Sequence, residues 1–164
     1  DTTARKCHLG NGHSNAGHAK PEAVISDTVG FIRGLPHQLI EAFKSTLDET
    51  AEADLLLHVV DAASPARAEQ MAEVERVLAE IGADNVPIIV VYNKIDLTGR
   101  APSIERDARD NIAAVSVSAQ AGVGLELLRD AVVEFVERSV GFNNALATAK
   151  QGEDASSRPG ATAA

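Results

Sequence analysis

Aromatic residues are scarce in this chain of 164 residues: four Phe, one Tyr and no Trp, 3% in all. A surface that stacks single-stranded bases on aromatic rings is therefore poorly supplied. Basic residues are also in the minority, with 15 Lys and Arg against 24 Asp and Glu, a formal net charge of −9. Without a cluster of basic residues, such a chain is repelled by free nucleic acid and by anionic membranes. The sequence has no such cluster, and free nucleic-acid binding is not expected. One cysteine cannot close an internal disulfide, which fits a reducing, cytoplasmic compartment. No apolar run approaches the ~20 residues of a membrane-spanning helix, so no membrane span is expected. The first ten residues, DTTARKCHLG, lack the apolar stretch of a secretory signal. What is present is ordinary for a globular chain, 45% hydrophobic and 24% charged, at a length that suits one domain with or without a tail.

Short, almost wholly apolar runs alternate with longer segments of helical period. The runs are AVIS (23–26), DLLLHVVD (54–61), VPIIVVYN (86–93) and IAAVSVSA (112–119). Continuous Val- and Ile-rich runs of this length read as strands of a parallel sheet buried on both faces. Segment 66–81 carries a stripe of Ala68, Met71, Ala72, Val74, Val77, Leu78 and Ile81, with Glu69, Glu73, Glu75 and Glu80 mostly elsewhere. Helices are also expected over 37–50, opened by Pro36, and over 122–138. The Glu-rich faces of 66–81, and Arg106, Asp107, Arg109 and Asp110, read as ordinary solvated helix surface. Alternating strand and helix is the α/β pattern, and ligands in such sheets bind beyond the carboxyl ends of the strands.

Three strand ends carry polar residues that suit one ligand. After AVIS come Asp27, Thr28, Val29 and Gly30; after VPIIVVY come Asn93, Lys94, Ile95 and Asp96; after IAAVSV come Ser118 and Ala119. An aspartate at a strand end can hold Mg²⁺ through water, because that ion keeps much of its hydration. A glycine three residues on lets a backbone N–H approach a terminal phosphate. Asp96 can accept hydrogen bonds from N1 and N2 of guanine, where adenine presents an acceptor at the ring nitrogen and is rejected. Asn93 can tie the loop and contact the far edge of the ring. The Lys94 stem can lie along the base plane, and the Ala119 N–H can donate to guanine O6. Each motif alone has a plainer reading: Asp27 as a turn cap, 93–96 as a polar turn, Ser118 as a loop residue. Their order, each at the end of a predicted strand, favours a guanine-nucleotide site.

The stretches DTVGFIRGLPHQLIEAFKSTLDETAEADLLLHVVDA, VLAEIGADNVPIIVVYNKIDL and SAQAGVGLELL closely resemble the HflX-type ribosome-associated GTPases. The resemblance covers roughly residues 1–138. It implies a P-loop-NTPase G domain, an α/β fold with a mostly parallel sheet flanked by helices. It also implies binding of GTP and GDP with Mg²⁺, hydrolysis of GTP in the intact protein, and the large ribosomal subunit as partner. Asp27 to Gly30 then match the start of switch II, where Phe31 stands in place of the water-orienting glutamine of Ras-like proteins.

The phosphate cradle Gly-x-x-x-x-Gly-Lys-Ser/Thr does not occur in these 164 residues. On the resemblance, Asp1 matches the end of a Thr-Leu-Asp run, so Thr2 and Thr3 are poor candidates for the switch I ligand to Mg²⁺. The expected organisation is a truncated G domain over 1–140, lacking its first strand, P-loop and first helix, with a disordered tail over 141–164. The two strands flanking the absent one would have to pair directly, leave backbone groups unpaired, or recruit a strand from another chain. An inactive fragment retaining only guanine-recognition and switch II elements is the alternative function, and an unrelated flavodoxin-like binding domain a third.

Residues 12–19, GHSNAGHA, imitate the glycine spacing of a phosphate loop but lack its lysine and hydroxyl, and read as the turn of a hairpin joining 3–9 to 23–27. Cys7, His8, His13 and His18 follow no usual zinc spacing. His58 reads as a core or crevice histidine, and His37 as part of a helix start.

Overall fold

The computed structural model describes residues 3–8, 22–27 and 50–154. The first two segments are strands β1 (Thr3–His8) and β2 (Glu22–Asp27). They pair antiparallel from Thr3 opposite Asp27 to His8 opposite Glu22, as expected of a hairpin. But 23–26 is not the buried strand of a parallel sheet that its apolar run suggests: it lies in a separate two-stranded sheet with Val24 and Ile25 exposed. Residues 9–21 between them, with the imitation of a phosphate loop, lie outside the described residues.

The larger body is built on β3 (Leu56–Asp61), α1 (Arg67–Glu80), β4 (Ile88–Asn93), β5 (Ser103–Arg106), β6 (Ile112–Ser116) and α2 (Leu125–Asp154). Its sheet runs in the order β3-β4-β6-β5. β3, β4 and β6 are parallel, and β5 closes one edge antiparallel to β6. The parallel core follows from composition: IIVVYN and IAAVS are β-branched or small nearly throughout and suit a sheet covered on both sides. Ile89, Val91, Val115 and Val117 form the buried centre with Ala131 of α2, while Leu127 and Leu128 pack against it. Burying each such aliphatic side chain contributes about 1.5–3 kcal/mol. α1 buries Val77 and Leu78 and turns its charged residues outward, with Arg76 paired to both Glu73 and Glu80.

Parallel pairing brings the carboxyl ends of β3, β4 and β6 to one edge of the sheet. Asp61 stands opposite Asn93 in the β3–β4 register, and Val117 N–H donates to Tyr92 O at 2.8 Å beside it. That alignment places three strand-end loops side by side. On its other side β3 pairs with no strand among the described residues, and β2 belongs to the separate sheet. Direct pairing of the two flanking strands is therefore not what the described residues adopt.

Residues 106–110 are not helix surface. Arg106 ends β5 and the next residues turn into β6. Asp107 makes the turn, its Oδ1 accepting from the N–H groups of Arg109 and Asn111 at 2.8 Å each, and its Oδ2 from Asn111 Nδ2 at 3.0 Å. An aspartate that gathers local N–H groups in this way competes with helix formation. Asp110 completes the reversal with a φ of 63°. α2 begins near the expected position and continues to Asp154, into the segment where a disordered tail is expected. Of the helix expected over 37–50, only Thr50 lies among the described residues, helical and buried.

Candidate nucleotide-binding site

The loop after β4 begins with a backbone reversal at Lys94, whose φ of 65° and ψ of 34° are left-handed. A non-glycine residue in that region needs local support. Asn93 supplies it, its Oδ1 accepting from the N–H of Lys94 at 2.8 Å. The same oxygen accepts from the N–H of Ala119 at 3.0 Å, so one carboxamide ties the loop after β4 to the loop after β6. With its oxygen engaged twice, the Asn93 side chain has its amide nitrogen left to donate. The chain then makes one turn of 3-10 helix, Ile95–Leu97, anchored by the buried Ile95, whose N–H donates to Val117 O at 3.2 Å.

Asp96 is exposed within that turn. Its Oδ1 accepts from Ser118 Oγ at 2.5 Å. Ser118 is itself buried and accepts from the N–H of Ala121 at 3.1 Å. The loop 118–123 closes on itself through reciprocal bonds, Ser118 N–H to Val123 O at 2.9 Å and Val123 N–H to Ser118 O at 3.0 Å. Gly124 follows with a φ of 79°, and a Cβ there would meet Ser116 O at 2.7 Å. Only glycine fits that return into α2. The result is an exposed carboxylate with one oxygen fixed by a buried hydroxyl.

Asp61 is the residue that strand-end reading passed over. It ends β3, and its Oδ2 accepts from Lys94 Nζ at 2.7 Å while Oδ1 accepts from Ala63 N–H at 2.9 Å. The Lys94 hydrogen bond, with that of Ala63, holds its carboxyl below the ordinary aspartate value. The available signal was positional: a carboxylate ending one parallel strand beside a lysine just beyond the next. His58 is half-buried on β3, and burial pushes its imidazole below the usual value, against a smaller opposing effect of Glu75.

The structure thus brings together Asn93, Lys94, Ile95, Asp96, Ser118 and Ala119. Asp27 is exposed at the end of β2, in the other sheet. Thr28, Val29 and Gly30 lie outside the described residues, as do Phe31 and His37. Among the described residues no three His, Cys, Asp or Glu side chains gather as a metal cluster.

A family described as 50S ribosome-binding GTPase matches residues 3–94. The GTPase HflX of Caldanaerobacter subterraneus subsp. tengcongensis is 47% identical over 132 residues, 80% of this chain and 28% of that protein. The chain belongs to the HflX-type GTPases. The GTPase HflX of Escherichia coli K12 is 49% identical over 114 residues, 69% of this chain and 27% of that protein. The present chain therefore spans under a third of the length of these HflX relatives. A GTP-binding protein from the archaeon Sulfolobus solfataricus, solved in complex with GDP, shares the fold. It superposes with a TM-score of 0.59 at 29% identity, over 73% of this chain and 42% of that one. Within the HflX type, the α/β G-domain architecture expected from the sequence is the one observed. No helix among the described residues is long and apolar enough to cross a membrane.

Proposed function

We propose that this chain carries the guanine-recognition half of an HflX-type GTPase. The carrying observation is Asp96, an exposed carboxylate whose Oδ1 is fixed by the buried Ser118. Held this way, it accepts from guanine N1 and N2, while adenine would set a ring acceptor against a carboxylate. The Asn93 amide nitrogen reaches the N7 side of the purine, because its oxygen is engaged by Lys94 and Ala119. The Ala119 N–H serves guanine O6 by sharing its hydrogen with Asn93 Oδ1, a three-centre arrangement common in proteins. The Lys94 stem covers one face of the base.

Asp27 fits Mg²⁺ held through water, since it is exposed at a strand end and the ion requires few protein ligands. When bound with nucleotide, the ion would neutralise phosphate charge; Thr28, Val29 and Gly30 would line the phosphate side. Hydrolysis of GTP in the intact protein, the large ribosomal subunit as partner and a cytoplasmic setting complete the reading, supported by the family's description as 50S ribosome-binding.

The test is nucleotide choice. GDP is expected to bind more tightly than ADP, and Asp96→Asn to weaken GDP by roughly ten- to a hundredfold, since a charged acceptor contributes on the order of 1.5–3 kcal/mol. Equal affinity of the unaltered chain for ADP and GDP would sink the assignment.

A further inference from the structure

Lys94 has two unusual features that meet at one partner. Its backbone is left-handed, and its side chain reaches across the strand ends to Asp61 at 2.7 Å. The lysine side chain is 52% exposed and that of Asp61 34%, so the ion pair adds little to folding stability. Its effect is geometric. A lysine stem has several freely rotating bonds, and an unpaired ammonium would sample many positions around the loop.

Asp61 is itself held at two levels. Its second oxygen is engaged by Ala63 N–H. The turn that carries it is braced by Arg67, whose Nη1 donates to Ala62 O at 3.1 Å and whose guanidinium lies 5.6 Å from the centre of the Tyr92 ring. Tyr92 precedes Asn93 on β4, so the brace joins the Asp61 turn to the strand that presents the nucleotide loop. The lysine is thus fixed at both ends, by Asn93 at its backbone and by Asp61 at its ammonium.

We propose that Asp61 is a positioning residue for guanine recognition, acting through Lys94 to hold the lysine stem along the face of the base. This rests on the nucleotide-site reading above. A guanine-binding loop then depends on the end of a neighbouring strand that does not contact the ligand.

The test is GDP titration of the chain followed by the amide resonances of 93–98 and 118–121, in a double-mutant cycle. Asp61→Asn is expected to weaken GDP by about two- to fivefold, the range of an exposed ion pair. In a Lys94→Met background the same change is expected to have no effect. Guanosine should show the same ratio as GDP, because the stem acts on the base and not on the phosphates. If Asp61→Asn unfolds the chain, Asp61→Ser, which keeps an acceptor for Ala63 N–H, carries the same test. Tighter or unchanged GDP binding in the Asp61 variant, with Asp96→Asn still weakening it, would overturn this inference alone. An equal loss in the Lys94→Met background would overturn it too, marking Asp61 as a structural residue. No preference for GDP over ADP in the unaltered chain would overturn the nucleotide-site reading and this inference together.

Discussion

Ser118 and Asp96 lie 22 residues apart in sequence and are joined by a 2.5 Å hydrogen bond between a buried hydroxyl and an exposed carboxylate. The hydroxyl is both donor to Asp96 and acceptor from Ala121, so one side chain shapes its own loop and aims the neighbouring one. Ser118→Ala removes the donor while leaving Asp96 in place and exposed. The expected result is a loss in GDP affinity of roughly three- to tenfold, about 0.5–1.5 kcal/mol, beside a loss of folding stability of about 1 kcal/mol from the Ala121 N–H left without its acceptor. Calorimetric titration beside a denaturation curve separates the two effects.

Gly124→Ala should act on folding. The new methyl would sit 2.7 Å from Ser116 O and 3.1 Å from Pro102 Cβ, at a φ of 79°. Backbone on one side cannot yield, and left-handed geometry adds strain, together about 1–3 kcal/mol. Urea denaturation should show a lower midpoint. An unchanged midpoint would mean that the return into α2 is softer than its geometry indicates.

Glu134 supplies a pH dependence. Arg106 donates to both its oxygens at 2.8 Å, and Arg138 lies 3.2 Å from one. The Arg106 hydrogen bonds, more than the charges, keep its carboxyl below the ordinary glutamate value. A carboxylate depressed in the folded state contributes stability that is full above its unfolded value, ~4.3, and is lost as pH falls through the lower folded value. Glu134→Gln should therefore lower the urea midpoint at pH ~7 and leave it nearly unchanged once pH falls well below 4. Equal losses at both pH values would assign the effect to packing rather than charge.

Exposed apolar side chains predict association. Val59 is 62% exposed on β3, and Val24 and Ile25 are 62% and 43% exposed on β2. Strand edges and apolar faces of this kind drive self-association and bind hydrophobic dyes. Sedimentation of the 164-residue chain is expected to show concentration-dependent oligomers, reduced by Val59→Lys. A monodisperse monomer with a sharp thermal transition and no dye binding would contradict this.

The α/β class and the strand ends were legible before any coordinates. Runs such as 86–93 are too apolar and too β-branched for anything but a covered strand, and Asn93, Asp96 and Ser118 are polar residues where such strands must stop. That information is local, carried by composition and spacing along the chain. Residues 106–110 depart from the helix surface that their charges suggest, because the end of a short edge strand and an Asp-centred turn carry little periodicity, and the five hydrogen bonds that Asp107 makes to its neighbours become visible only in space. The pairing of Asp61 with Lys94, and of Ser118 with Asp96, joins residues 33 and 22 positions apart. Such pairs follow from the parallel register that sets Asp61 opposite Asn93. Strand register is a property of packing between elements, settled by which faces share the core, and no single stretch of sequence holds it.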